Sequence, residues 1–124
     1  MLKQILKFNT YIILLLLKIN LIHSHAILEY SEPGRRAILY RSPAKIILTF
    51  NEKIEENFAK IKIMDNKDKL ILSKSNAQNL ENDQNSIFIS IPKLSSGVYF
   101  IQYEVISVDG HKVKGRYKFT INKN

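Results

Sequence analysis

Cysteine is absent from all 124 residues, which excludes a disulfide framework, a thiolate zinc site and thiol catalysis. The core must be held by noncovalent packing alone. Internal repeats, low-complexity tracts and convincing helical periodicity in the body of the chain are missing as well. Acidic residues are lacking from positions 1 to 24. The length leaves room for one domain plus an N-terminal extension. The formal charge of +8 raises the question of nucleic acid or an anionic surface. Lys and Arg are nevertheless scattered and interleaved with acids, as in Asn51-Glu52-Lys53-Ile54-Glu55-Glu56. That pattern reads as a solvated surface with no nucleic-acid partner.

The first 24 residues differ from the rest. Lys3 and Lys7 precede an apolar run, Tyr11 to Leu17, followed by Lys18, the shorter run Ile19 to Ile22, and the small residue Ser24. A basic start, a short apolar middle and a small residue at the cut point make a secretory signal peptide. A membrane span needs about 20 predominantly apolar residues, and Lys18 and Asn20 interrupt this run. Cleavage after Ser24 gives domains of 1–24, the signal peptide, and 25–124, the mature protein, with no stable membrane anchor. Residues 25–124 hold sixteen Lys and Arg against eleven Asp and Glu.

After such a cleavage the surviving histidines are His25, at the new terminus, and His111. An N-terminal histidine offers imidazole and α-amino nitrogens to one metal. The amine's reference pKa of about 7.7 to 8.0 makes its proton easy to displace near neutrality. His111 sits in Ser107-Val108-Asp109-Gly110-His111. On an extended backbone, positions i and i+2 point the same way, so Asp109 and His111 would converge while Gly110 bends the chain. Asp-Gly is equally an ordinary turn between strands. Together His25, Asp109 and His111 form a nitrogen-rich N and O set of the kind Cu(II) prefers, with zinc chemically possible.

The remaining pattern is that of strands. Ala26-Ile27-Leu28 begins it, and Glu32-Pro33-Gly34-Arg35-Arg36 interrupts with turn residues. Lys45 to Phe50, Ile61 to Ile63, Leu70 to Leu72 and Ile87 to Ile91 read as strands, with a polar turn at Asp65 to Lys69. Ser73 to Ser86 reads as a long loop or poorly ordered edge. Val98 to Val108 is the longest strand, with Tyr99, Ile101, Tyr103 and Val105 facing the core, and Arg116 to Ile121 the last, with Tyr117, Phe119 and Ile121 buried. About seven short strands predict an all-β, two-sheet antiparallel sandwich.

Three stretches carry a resemblance to a known family. They are His25-Ala26-Ile27-Leu28 with Ser31-Glu32-Pro33-Gly34; Ile46-Ile47-Leu48-Thr49-Phe50-Asn51-Glu52; and Gly97-Val98-Tyr99 through Ser107-Val108-Asp109-Gly110-His111 to Gly115. The chain resembles the periplasmic copper-binding proteins of the CopC type. The resemblance implies an Ig-like, Greek-key β-sandwich that binds one Cu(II) through His25 (amine and imidazole), Asp109 and His111. It implies a periplasmic protein of copper sequestration, delivery or resistance, with a separate inner-membrane copper transporter as partner and no enzymatic activity. Two features depart from the family. Met64 is the only methionine after residue 24, so a methionine-rich Cu(I) site is not expected. Tyr103-Glu104 stands where the family usually has Trp-Arg.

Two other classes fit parts of the pattern. An N-terminal His with a second His also resembles the histidine brace of copper oxygenases, which would make an oxidative enzyme. Those enzymes keep a coordination position open for oxygen, and Asp109 would fill it here. A sandwich without metal would be a protein-interaction module.

Overall fold

The computed structural model describes residues 1–17 and 26–123. Helix α1, Leu2–Leu17, lies within the segment expected to be a signal peptide, and the expected cut after Ser24 lies outside the described residues. Among the described residues no helix is long and apolar enough to cross a membrane. The rest is β-structure. In chain order the strands are β1 (Leu28–Glu32), β2 (Ile38–Leu39), β3 (Lys45–Phe50), β4 (Lys60–Asp65), β5 (Leu70–Ser75), β6 (Gln78–Leu80), β7 (Asp83–Ser90), β8 (Gly97–Ile106) and β9 (Lys112–Ile121). One 3₁₀ turn, Glu56–Phe58, lies between β3 and β4.

Two sheets face each other, one in the order β1-β3-β7-β6 and the other β2-β9-β8-β4-β5. All pairings are antiparallel except the two-residue β2, which runs parallel to β9. The expected two-sheet sandwich is therefore present, with nine strands among the described residues.

The core lies between the sheets because alternate residues of each strand point inward. Ile46, Leu48, Phe50, Ile87 and Ile89 come from the first sheet, and Ile61, Ile63, Tyr99, Ile101, Val105, Tyr117, Phe119 and Ile121 from the second. The rings of Tyr99 and Phe119 stack at 5.7 Å. The inward sets read from β8 and β9 are the observed ones, with Tyr103 half-buried. Every residue of the core cluster lies between Leu28 and Ile121, so the segment after the helix carries its own core.

Two expectations need correction. The first strand starts later and runs further than Ala26-Ile27-Leu28, because Tyr30 to Glu32 pair with Thr49 to Ile47 after a bulge. Ser73 to Ser86 is an edge, as one of its two readings had it, and not a loop: it holds the end of β5 and all of β6, the last strands of their sheets, and the start of β7. Its polar side chains substitute for apolar alternation. Asn76 and Asn82 take left-handed φ of 62° and 61°, which Asn tolerates in tight turns. The Asn79 amide donates to the Ile54, Gln84 and Ser86 carbonyls at 3.2 to 3.3 Å. Ser86, almost fully buried, lies 2.6 Å from the Thr49 hydroxyl and donates to Asp83 at 2.6 Å.

Candidate metal centre

The β8–β9 connection, Ser107 to His111, lies at one end of the sandwich. Its backbone closes on itself: the Gly110 N–H donates to the Ser107 carbonyl at 2.8 Å and the Ser107 N–H to the His111 carbonyl at 2.9 Å. The buried Ser107 hydroxyl accepts the His111 N–H at 3.1 Å. Gly110 has φ +86°, a conformation that a side chain would strain. The stretch is thus a turn and not the extended segment assumed in placing Asp109 and His111 side by side. Asp109 is at its exposed tip, and His111 re-enters the sheet.

A second segment braces this turn. After β3, the chain crosses between the sheets: the Val108 N–H donates to the Lys53 carbonyl and the Glu55 N–H to the Ile106 carbonyl, both at 2.9 Å. Ile54 bridges Ser107. This crossing brings Glu52 to His111. The carboxylate Oε2 lies 3.2 Å from the imidazole Nδ1, with the two side chains 14% and 32% exposed, respectively. With Nδ1–H donated to Glu52, the lone pair is on Nε2, the nitrogen left for a metal.

The start of the domain reaches the same end. The Asn51 side-chain oxygen accepts the Ile27 N–H at 2.7 Å, and the Asn51 N–H donates back to the Ile27 carbonyl at 3.1 Å. Ala26 is buried. The residue clamped to Ile27 is therefore the chain neighbour of the one that holds His111. His25 itself lies outside the described residues. Among the described residues no group of three His, Cys, Asp or Glu is arranged to hold a metal, so Asp109 and His111 need a further donor.

Glu52 escaped the sequence reading. It stands in a run of alternating charge that reads as solvated, yet its side chain is mostly buried against the imidazole. Its signal is its place two residues after the strand Lys45–Phe50, where the chain must turn between sheets.

Tyr103 and Glu104, which together depart from the family pattern, occupy opposite faces of β8. Tyr103 points inward, edge-on to Phe50 at 5.7 Å, and its ring covers Gly115 so closely that a Cβ there would overlap it. Burial raises the Tyr103 pKa, tempered by the Arg35 guanidinium. Glu104 points outward to Lys112 at 2.9 Å and Lys114 at 3.6 Å, and its pKa is lowered chiefly by the hydrogen bond from Lys112.

Comparison with known proteins extends this picture. The model of the CopC domain matches residues 28–122. Protein YobA of Escherichia coli K12 is 34% identical over 99 residues, 79% of each chain. The copper transport protein CutJ of Bacillus subtilis is 31% identical over 102 residues, 81% of this chain but 18% of that longer protein. The crystal structure of CopC from Methylosinus trichosporium OB3b superposes with a TM-score of 0.76 at 28% identity, covering 81% of this chain and 96% of that one. The domain match over nearly all of the sandwich, with a relative of this identity and coverage, places the chain in the CopC family.

Proposed function

We propose that the chain is a secreted, periplasmic protein that binds one Cu(II) ion and sequesters or delivers it. As a CopC-family member it is a copper-binding protein and not an enzyme. On this reading the segment 1–24 is removed, and His25 becomes the terminus and supplies two nitrogens. The Nε2 of His111 and the Asp109 carboxylate complete an N and O set suited to tetragonal Cu(II).

The observation that carries the reading is the Glu52–His111 pair beside the Ile27–Asn51 clamp. A carboxylate on the far nitrogen fixes the tautomer and raises the basicity of a ligating histidine. The clamp brings the chain just after His25 to that same end. The cargo ion would be exposed at the tip of the β8–β9 turn, where a receiving protein can reach it. The occurrence of a similar domain within the much longer copper transport protein CutJ supports a separate membrane transporter as that receiver.

The test is intact mass of the secreted protein with and without one equivalent of Cu(II), paired with its electron paramagnetic resonance spectrum. A chain starting at His25 that retains one ion in a tetragonal nitrogen-rich site, lost in His111→Ala, is the expected result. A retained segment 1–24, or a His25 start that holds no copper, would overturn the reading.

A further inference from the structure

The outward faces of the two sheets differ in charge. Residues paired across strands lie on the same face, so the register fixes which side chains belong together. Among the paired outward positions of the first sheet the charged residues are Lys45, Glu32 and Asp83, one cation and two acids. The second sheet presents Lys60 and Lys62 from β4, Lys112, Lys114, Arg116 and Lys118 from β9, and a single acid, Glu104, from β8. All six cations are exposed. Residues 25–124 carry five more cations than acids, and this face, six against one, accounts for the whole surplus. Elsewhere ten cations meet ten acids. The scattered charge of the sequence is therefore sorted by the strand register.

Little neutralises this face from within. Glu104 is shared by Lys112 and Lys114. Arg116 reaches Asp68, in the β4–β5 turn, at 3.1 Å and lies over the Phe100 ring at 4.2 Å. Lys60, Lys62 and Lys118 form no ion pair among the described residues. The cations line two strands, β4 and β9, that flank β8, over an area of about 20 Å by about 10 Å. Between Lys60, Lys62, Glu104, Lys114 and Arg116 lies an open depression of about 500 Å³. An apolar margin adjoins it, where Leu70, half exposed, pairs with Met64, which pairs with Phe100.

We propose that this face docks the protein on an anionic lipid bilayer. Planar cations meet headgroup phosphates, and the apolar margin reaches toward the acyl boundary, a combination that favours a bilayer over a purely ionic partner. The binding is peripheral and salt-sensitive. The β8–β9 turn lies beyond the last cationic row, Ile106–Lys112. A sheet lying flat would therefore keep the His111 end uncovered, pointing along the membrane plane.

The test uses residues 25–124, which contain the whole core, sedimented with vesicles of phosphatidylcholine with or without phosphatidylglycerol. Binding is expected only with phosphatidylglycerol, at low salt, and released by high salt. Each of Lys60→Gln, Lys62→Gln and Lys118→Gln should weaken it about fivefold, and the triple variant about a hundredfold. A control triple, Lys45→Gln, Lys93→Gln and Lys123→Gln, removes the same charge elsewhere and should bind like the parent. Equal weakening by the two triples, binding to phosphatidylcholine alone, or capture of DNA or polyglutamate by this face without any binding to the anionic vesicles would overturn the proposal.

Discussion

Glu52 and His111, 59 residues apart in the chain, meet at 3.2 Å across the end of the sandwich. The carboxylate follows β3 in one sheet and the imidazole precedes β9 in the other, so the pair forms only when both sheets are assembled.

Removing that carboxylate leaves the imidazole free to rotate and to change tautomer. Glu52→Ala is expected to bind Cu(II) about 10- to 100-fold more weakly, the usual effect of losing an outer-shell partner. Titration against a competing chelator measures this, and an unchanged affinity would show that Glu52 does not orient the ligand.

Gly115 is where a side chain cannot fit. Tyr103 lies over it, so Gly115→Ala must displace the ring or the strand, at an expected cost of about 1 to 3 kcal/mol. Shortening the ring in Tyr103→Leu should remove most of that cost. A urea-denaturation double-mutant cycle would report the coupling, and additivity would contradict the contact.

Tyr117 has a buried hydroxyl that makes no well-formed hydrogen bond among the described residues, although the Ser31 side chain lies near enough to temper its pKa. Burial pushes its pKa well up, because the phenolate would be poorly solvated there. Tyr117→Phe deletes the unsatisfied group and keeps the ring, so a gain of about 1 kcal/mol is expected. Denaturant melts of the two proteins decide it, and a loss of stability would mean that the hydroxyl is satisfied in solution.

Asp65 accepts the Lys67 and Lys69 N–H groups at 2.8 and 2.9 Å. The hydrogen bond from Lys69, then that from Lys67, holds its pKa below the ordinary 3.8. A carboxylate depressed on folding stabilises the fold above its unfolded pKa, and this is lost as pH falls through the lower folded value. Asp65→Asn should therefore melt slightly below the parent at neutral pH, with the gap closing below pH 3.8. A gap independent of pH would contradict the assignment.

The strongly alternating strands were legible residue by residue. Tyr99, Ile101 and Val105, and Tyr117, Phe119 and Ile121, are buried where a period of two puts them. The strands within Ser73 to Ser86 were not legible, because Asn79 and Ser86 hold their strands by side-chain hydrogen bonds that leave no periodic apolar trace. The Asp109-Gly110-His111 turn could be recognised from its residues and its resemblance to a family. Of its two readings, extended segment or Asp-Gly turn, the structure has the turn, closed with Gly110 at φ +86°.

Local chemistry thus determined the absence of thiol sites, the two-sheet class and the turn that carries His111, because each depends on residue type or short-range alternation. Tertiary structure alone decided that Glu52 is the partner of His111, that Ala26 and Ile27 lie at the same end through Asn51, and that the cationic surplus gathers on one face. Those facts depend on the register between strands distant in sequence. Register is set by how the two apolar faces pack together, which no single stretch of the chain encodes.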